Sequence, residues 1–233
     1  MSESLRQSLD LSLFWEYRTV LLRGLAFNLY VFLCAASVAI TVGLGAALLR
    51  IHRAWPFRIL GTLHVEIFRN APDYIMVVWV HFVLPLLLSP ILGWRVEFHP
   101  FVSAVIALGF VYSGYYAETF RAGIQSIPRG HLEAGRACGM SERLILWRIV
   151  MPQVVRKMLP EGLNQLVSLF KATTIVSLIA VPDMMYQVSM VTAQEMRPIP
   201  LYTGAALVYF AVVFTVAQAV RLASERWRQS IYA

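Results

Sequence analysis

Residues 25–49 read LAFNLYVFLCAASVAITVGLGAALL and contain no charged side chain. As an α-helix with a rise of about 1.5 Å per residue, this run would be about 37 Å long. The hydrocarbon core of a bilayer is about 30 Å thick, and roughly 20 apolar residues of helix cross it. The run therefore predicts a transmembrane helix.

The composition of the whole chain is that of a membrane protein. Of its 233 residues, 58% are apolar and 14% are charged, whereas soluble domains average about 45–50% and about 25%. Cys34 and Cys138 give neither a disulfide framework nor a metal-ligand spacing. The first twenty residues lack the order of a cleaved signal peptide, so we expect the first span to act as an uncleaved insertion signal.

Five segments are apolar and long enough to cross a bilayer. We expect an all-α, polytopic membrane protein with a single membrane domain over residues 1–233 and its core at about 20–228. The fourth segment is the weakest, because Lys171 interrupts its apolar run. The expected spans are about 25–49, 63–92, 100–120, 161–181 and 201–221.

The positive charges predict the orientation of these spans. Cytoplasmic loops of membrane proteins carry the excess of Lys and Arg. The segments on one side of the five spans hold Arg50, Arg53, Arg58, Arg121, Arg129, Arg136, Arg143, Arg148, Arg156, Lys157, Arg221, Arg226 and Arg228, and those on the other hold Arg6, Arg18, Arg23, Arg95 and Arg197. We therefore expect the N-terminus outside and the C-terminus in the cytoplasm.

The segment 121–160 is then a cytoplasmic loop, and its sequence predicts two short helices. The first is expected at His131–Cys138, and Gly139 supplies the left-handed residue that commonly ends a helix. Ser141 is a favourable N-cap for a second helix at Glu142–Met151. Pro152 is expected to stop or bend the second helix. The loop is therefore expected to present two helices joined at a glycine corner.

From physical chemistry alone, this loop has three interpretations. A helix-turn-helix DNA reader is disfavoured, because Leu144 and Trp147 make the recognition helix apolar and membrane spans flank it. An amphipathic helix in the lipid headgroups, with Arg143 and Arg148 toward phosphate, remains open. A docking element for a soluble partner is the third.

The loop resembles the signature E-A-A-x3-G-x9-I-x-L-P of ATP-binding-cassette importer permeases. Gly135 and Met151 stand where that family has alanine and leucine. The resemblance implies that the loop is a coupling element that inserts in a groove of a cytoplasmic ATPase. The residues that match the signature are Glu133, Ala134, Gly139, Ile149 and Pro152.

The resemblance to polar amino-acid permeases extends along the chain through residues 66–85, 115–140 and 151–181. It implies a type I importer permease of the bacterial inner membrane that pairs with an identical or paralogous permease. An ATPase dimer, an extracytoplasmic solute-binding protein and membrane lipid would be its other partners, and nucleic acid is not expected. The sequence has no phosphate-binding loop for ATP hydrolysis, so we expect a transporter subunit and no enzyme, with hydrolysis in a partner chain. It would hold no cofactor of its own, with ATP and Mg bound by the partner ATPase.

Two departures from the family concern the solute. Asp73 and Tyr74 follow Pro72 where relatives have apolar residues, and Ala172 replaces the aspartate that usually follows Lys171. A cavity that lacks one carboxylate and gains another is expected to accept a different solute from that of relatives, within the class that the resemblance implies, a polar amino acid or a derivative of one. The candidates for the solute path are Arg69, Asp73, Tyr116, Glu118, Gln165, Lys171, Thr173 and Thr174.

Charged groups at membrane depth are costly unless they face protein or water. A pair between Lys171 and Glu118 is expected, either to lock helix packing or to line the path. Arg69 and Asp73 lie four residues apart and would share a helical face, or they anchor the chain at the headgroups. The alternative function is a membrane channel or a scaffold without ATP coupling, and an intramembrane enzyme is disfavoured to a similar degree.

Overall fold

The computed structural model describes residues 12–232, and for 223–232 the backbone only. Arg6, which entered the charge comparison, lies outside the described residues, as do the first residues of the expected domain. Within residues 12–232 the chain is helical throughout, with turns between helices and no strand. The all-α prediction is confirmed.

The α-helices are Ser12–Glu16, Arg18–Arg50, Trp55–Asn70, Asp73–Val78, Leu84–Leu92, Pro100–Gln125, Arg129–Ala137, Glu142–Ile145, Met151–Ala172, Met184–Glu195 and Pro198–Tyr232. Two π-helical turns, Trp79–Val83 and Leu146–Val150, and one 3-10 segment, Thr173–Ile179, join neighbouring α-helices without a break.

Five helical stretches are long and apolar enough to cross a membrane, which agrees with the number predicted. Their bounds differ from the expected ones, most of all at the start of the fourth, which is Glu142 in place of about 161. We call them spans 1 to 5 in chain order: Arg18–Arg50, Asp73–Leu92, Pro100–Gln125, Glu142–Ile179 and Pro198–Leu222.

The expected second span, 63–92, is two helices in the structure. The helix Trp55–Asn70 ends before Ala71, and span 2 starts at Asp73 with Pro72 as its N-terminal flanking residue, at φ −65° and ψ 129°. Proline disfavours helical backbone in the residue before it, so Ala71 interrupts the helix. Asp73 then lies in the first turn of span 2, where a carboxylate suits the helix dipole.

Proline also explains the two π-helical turns. A proline inside an α-helix has no N–H to donate, and its ring collides with the carbonyl four residues earlier. Pro85 follows the turn Trp79–Val83, and Pro152 follows the turn Leu146–Val150, each two residues after the turn ends. The wider turn accommodates the proline, so the helix continues through it. Pro152 was expected to stop or bend the second loop helix, and it lies instead in an uninterrupted helical stretch.

The described chain falls into two compact units. Unit 1 holds residues up to 37, 71–109 and 167–216, and unit 2 holds 38–70, 110–166 and those from 217 onward. In unit 1 a buried cluster centres on Leu21, Met184 and Leu201.

Unit 2 has its own packed core beneath the loop. Buried Ile127, Ile145, Val150 and Val154 form this cluster, and partly buried residues such as Leu132 and Ile149 pack against it. Fully buried apolar side chains of this kind each contribute roughly 1.5–3 kcal/mol. The loop is therefore a folded element with a core and not an extended connection.

Candidate functional site

The glycine corner has the geometry that the sequence predicts. Gly139 has φ +73°, and its amide donates to the carbonyl of Arg136 at 2.9 Å. The next amide, of Met140, donates to the carbonyl of Gly135 at 3.0 Å. These two bonds form a Schellman motif, which satisfies carbonyls at the end of the first loop helix. The predicted left-handed Gly139 is confirmed.

The second loop helix starts as predicted at Ser141. The Ser141 hydroxyl accepts a hydrogen bond from the amide of Leu144 at 3.4 Å. Across the corner, the Arg136 guanidinium donates to the Glu142 carboxylate at 2.7 Å. That contact holds the pKa of Arg136 above its usual value, because the hydrogen bond to Glu142 stabilises the guanidinium cation. Both side chains are exposed, so the pair orients the corner and adds little stability.

Gly135, which departs from the family signature, lies at the closest point between the two loop helices. A Cβ at this position would meet the Ile145 side chain at 2.9 Å and Ile149 at 3.1 Å. Ile149, a signature residue, is therefore partly buried against the first helix. The glycine lets the isoleucines pack closely.

The signature residues of the first loop helix lie on its outer face. Glu133 and Ala134 are exposed, as is Gly139 at the corner, whereas Gly135 is buried. Trp147 adds a large exposed apolar surface on the second helix, with 62% of its area accessible. The loop thus combines a packed interior with an exposed face that carries both acidic and apolar groups.

The helix that follows holds the loop in place through polar contacts. The Lys157 ammonium donates to the carbonyl of Ser126 at 2.8 Å. The ring of His131 hydrogen-bonds the Gln153 side chain at 3.1 Å. Together with the core of unit 2, these contacts tie the first short helix and the turn before it to the helix Met151–Ala172.

Four of the candidate path residues lie in unit 2, and each has a place in its packing. The Tyr116 hydroxyl donates to the Gly162 carbonyl at 2.8 Å, and Gln165 donates to Glu161 at 2.8 Å. Arg69 packs against Gly114, where an added Cβ would lie 2.9 Å from the Arg69 amide nitrogen. The fourth of these residues is Glu118.

Glu118 is paired with two arginines in place of the expected Lys171. The Arg50 guanidinium donates to it at 2.6 Å, and Arg121, one helical turn further along span 3, donates to both of its oxygens. Two guanidinium groups satisfy one carboxylate with charge-assisted hydrogen bonds. The predicted Lys171–Glu118 pair is therefore wrong.

The other four candidates, Asp73, Lys171, Thr173 and Thr174, lie in unit 1. Because the helix breaks at Ala71, Arg69 and Asp73 do not share the continuous helical face that was expected. Lys171 is exposed, whereas Thr173 is fully buried. The Thr174 hydroxyl donates to the Lys171 carbonyl at 2.9 Å. The eight candidates are therefore divided between the two units, and their role in solute transport stays a prediction.

Sequence reasoning missed a buried polar network in unit 1, in which Asn28 and Asp183 join Thr173. Asn28 in span 1, Thr173 and Asp183 are all fully buried and are joined by hydrogen bonds. The signal was present as a single amide within the apolar run LAFNLYV. An amide inside a membrane span usually hydrogen-bonds to a neighbouring element, but the sequence does not say which one.

The comparison with known proteins identifies the family. Residues 39–229 match the family described as binding-protein-dependent transport system inner membrane component. The chain belongs to this family. No group of three or more His, Cys, Asp or Glu side chains that could hold a metal ion occurs among the residues that the structure describes.

Individual relatives agree with this assignment. The chain is 37% identical over 160 residues to the arginine ABC transporter permease protein ArtQ of Haemophilus influenzae, with 69% of the chain and 72% of the relative covered. It is 28% identical over 206 residues to the octopine transport system permease protein OccM of Rhizobium meliloti, with 88% and 84% covered.

Solved structures give the same fold. An amino acid ABC transporter crystallised with histidines superimposes with a TM-score of 0.84 at 25% identity, over 93% of the chain and 98% of that structure's chain. The MetNI methionine ABC transporter in an inward-facing conformation has a TM-score of 0.70 at 19% identity, with 97% and 99% covered. The expected type I importer permease fold is confirmed.

Proposed function

We propose that the chain is the permease subunit of an ATP-driven importer that moves a polar amino acid or a derivative of one across the bacterial cytoplasmic membrane. The observation that carries this proposal is the family match together with the corner at Gly139. There the family signature coincides with a folded, exposed helix pair. ATP and Mg would be bound by a separate ATPase, and loop 133–152 would contact that ATPase.

The structure of the loop supports a role in transmitting force. A coupling element must move as one body, since flexible segments absorb displacement. The core at Ile127, Ile145, Val150 and Val154 and the Schellman corner tie the two short helices together. The π-helical turn then continues directly into the rest of span 4, so a push on the exposed face reaches the membrane through unbroken helix.

The orientation follows from the same proposal. The thirteen Lys and Arg residues on the loop 121–160 side would be cytoplasmic, which places the N-terminus outside. A solute-binding protein would deliver solute at the outer face. A second permease subunit, identical or paralogous, would complete the translocation path.

The substrate class is inferred from relatives. The names of the relatives refer to arginine, octopine and glutamine. In each of these molecules a carboxylate is attached to a carbon that bears a nitrogen, and the rest of the molecule is polar. A dry path must offer partners to both charges of such a solute, because an unpaired buried charge is prohibitive. Lys171 is an exposed cation in unit 1 that could meet the carboxylate.

The experiment has two parts. First, the chain is tagged at its C-terminus and extracted gently from native membranes, and the co-purifying proteins are identified. We expect an ATPase to be retained by the wild type and lost from a Glu133→Ala, Gly139→Val double variant. A Gly130→Val variant is the matched control, because Gly130 lies in the same loop with open space around it and no positive φ.

Second, uptake of radiolabelled L-arginine, L-glutamine and octopine is measured in cells that lack the gene and in cells that carry it on a plasmid. We expect energy-dependent uptake of at least one probe to be restored by the wild type. Uptake that persists after ATP depletion would indicate a channel. A pure preparation without an ATPase, from conditions that preserve a known importer, would indicate a scaffold.

A further inference from the structure

Asn28 uses its full hydrogen-bonding capacity inside unit 1. Its amide nitrogen donates to the Asp183 carboxylate at 3.0 Å and to the carbonyl and hydroxyl oxygens of Thr173, both at 3.2 Å. Its amide oxygen accepts from the Met184 amide at 3.1 Å and from the Tyr209 hydroxyl at 2.8 Å. One buried side chain therefore connects span 1, span 4, span 5 and the start of the helix Met184–Glu195.

Span 1 has a glycine at the point where the chain at residues 183–184 approaches it. Gly24 lies one turn before Asn28 on the same helical face. A Cβ at Gly24 would lie 2.7 Å from the Met184 backbone nitrogen and α-carbon and 2.8 Å from the Asp183 carbonyl carbon. The glycine thus brings the chain at residues 183–184 into hydrogen-bonding range of Asn28. Asp183 also caps the following helix, because its other carboxylate oxygen accepts from the Tyr186 amide at 2.8 Å.

The node formed by Asn28, Thr173, Asp183 and Tyr209 lies where span 4 changes from α-helix to 3-10 helix. Thr173 is the first residue of the 3-10 segment, and its hydroxyl donates to the Phe170 carbonyl at 2.7 Å while it accepts from Asn28. Segments of 3-10 helix inside longer helices often mark hinges or strained sequences. The segment ends at Ala180 in a left-handed conformation, with φ +59°. The node therefore fixes one end of an irregular segment and the residues that follow its other end.

Two candidate path residues are carried by this junction. Lys171 precedes the 3-10 segment by two residues and is exposed, and Thr174 is its second residue. Thr173 lies between them in the sequence and is fully buried by the node. A change in the pitch of the helix at Thr173 rotates Lys171 and Thr174 relative to each other, because α and 3-10 helices differ by 0.6 residues per turn.

We propose that Asn28 is a positioning residue for transport, which through Thr173 and Asp183 holds the α to 3-10 junction of span 4 and thereby sets the placement of Lys171 and Thr174 toward the solute. The inference rests on the proposed importer function and assigns Thr173 a buried, supporting role in place of direct contact with solute. A fully satisfied polar network of this kind rigidifies its surroundings.

The competing explanation is that the node only stabilises the fold. In that case a variant would lower the amount of complex in the membrane, and the remaining complex would transport with unchanged affinity. A positioning role instead changes the solute concentration at half-maximal uptake and the preference between solutes. These two quantities do not depend on how much complex is present, so they separate the explanations.

The test uses the uptake assay with L-arginine, L-glutamine and octopine in cells that lack the chromosomal gene, with the amount of complex measured by pull-down. Thr173→Val and Tyr209→Phe each remove one hydroxyl from the node with almost no change of shape, and Asn28→Leu removes the amide. The matched control is Ser103→Ala, because Ser103 is a fully buried serine of unit 1 whose hydroxyl bonds His81 at 3.0 Å and not the node.

We expect Thr173→Val and Tyr209→Phe to raise the half-saturating solute concentration about two- to tenfold, the loss that corresponds to one hydrogen bond. Asn28→Leu is expected to raise it further or to change the order of preference among the three solutes. Ser103→Ala should leave both quantities at wild-type values.

The inference would be overturned if Thr173→Val and Tyr209→Phe leave the half-saturating solute concentration and the preference among solutes unchanged, with uptake that follows the amount of complex. That result would leave the importer function intact. The inference would also be overturned if Ser103→Ala shifts the half-saturating concentration and the solute preference as much as the node variants do. Absence of uptake of all three probes by the wild type would overturn the proposed function itself, and the inference with it.

Discussion

Replacing Gly24 by alanine tests how tightly span 1 packs in unit 1. The new Cβ would lie 2.7 Å from two backbone atoms of Met184, about 0.7 Å short of the 3.4 Å at which ordinary contact begins. These neighbours are main-chain atoms, which cannot rotate away as a flexible side chain does. The chain at residues 183–184 must therefore move outward by several tenths of an ångström.

That displacement has a calculable cost. A shift of about 0.7 Å would lengthen the contacts of Asn28 with Asp183 and Met184, now 3.0 and 3.1 Å, beyond hydrogen-bond range. Overpacking costs about 1–3 kcal/mol, and a buried polar group left unsatisfied costs about 1–3 kcal/mol. The better helix propensity of alanine returns up to about 1 kcal/mol. With about 2 kcal/mol for each penalty and about 1 kcal/mol returned by alanine, we expect a net loss of about 3 kcal/mol.

The assay is thermal unfolding of the purified protein in detergent, followed by tryptophan fluorescence. For a chain of this size the expected loss lowers the midpoint by about 5–15 °C. Gly45→Ala is the matched control, since Gly45 lies in the same helix with no atom within 4 Å of an added Cβ. It should leave the midpoint unchanged or raise it by up to about 4 °C. Equal midpoints for both variants would refute the reasoning.

Three further predictions concern the loop, the node and the end of span 4. Gly139→Val should reduce the stimulation of the partner ATPase by solute, because a non-glycine residue in the left-handed conformation costs about 1–2 kcal/mol. The space around Gly139 is open, so an added side chain meets no other penalty. Equal stimulation in Gly139→Val and Gly130→Val would contradict this prediction. Burial raises the pKa of Asp183 to about 6, so the folded protein binds more protons than the unfolded chain between about pH 4 and 6, and stability falls as the pH rises through that window. The wild type should lose roughly 2 kcal/mol relative to Asp183→Asn between pH 4 and 7, and a midpoint difference that is constant with pH would argue against it. Ala180→Gly should raise the unfolding midpoint by about 1–4 °C by relieving the left-handed conformation at φ +59°, and a lower midpoint would show that the alanine is not strained.

The sequence predicted those features that depend on a few neighbouring residues. Apolar runs of about twenty residues indicated five spans, and the pairing of Gly139 with Ser141 indicated both the end of one loop helix and the start of the next. These signals are local, because a left-handed residue and an N-cap act on amides within one turn. The expectation that the second loop helix could stop at Pro152 was wrong. Local rules treat proline as a helix breaker, whereas a single π-helical turn lets the helix continue.

Contacts between distant segments were not predictable in this way. Asn28 is 155 residues from Asp183 and 145 from Thr173 in the sequence, and nothing in an isolated amide names its partners. Glu118 shows the same limit, because Arg50 was assigned to orientation and its contact with Glu118 depends on how spans 1 and 3 pack in unit 2. The sequence indicates which residues need a partner, and the packing decides which partner they receive.

The two arginine partners of Glu118 leave Lys171 without the role that the sequence predicted for it, as the partner of that carboxylate. With Arg50 and Arg121 bound to that carboxylate, the group retains one net positive charge and needs no lysine for neutralisation. Lys171 lies within span 4 and is exposed on the isolated chain. A charged side chain at the centre of a bilayer costs about 2.5–3.5 kcal/mol on insertion scales. In the proposed importer, a neighbouring subunit, water or an anionic group of the solute would meet this cation, and the last of these fits a path for amino acids.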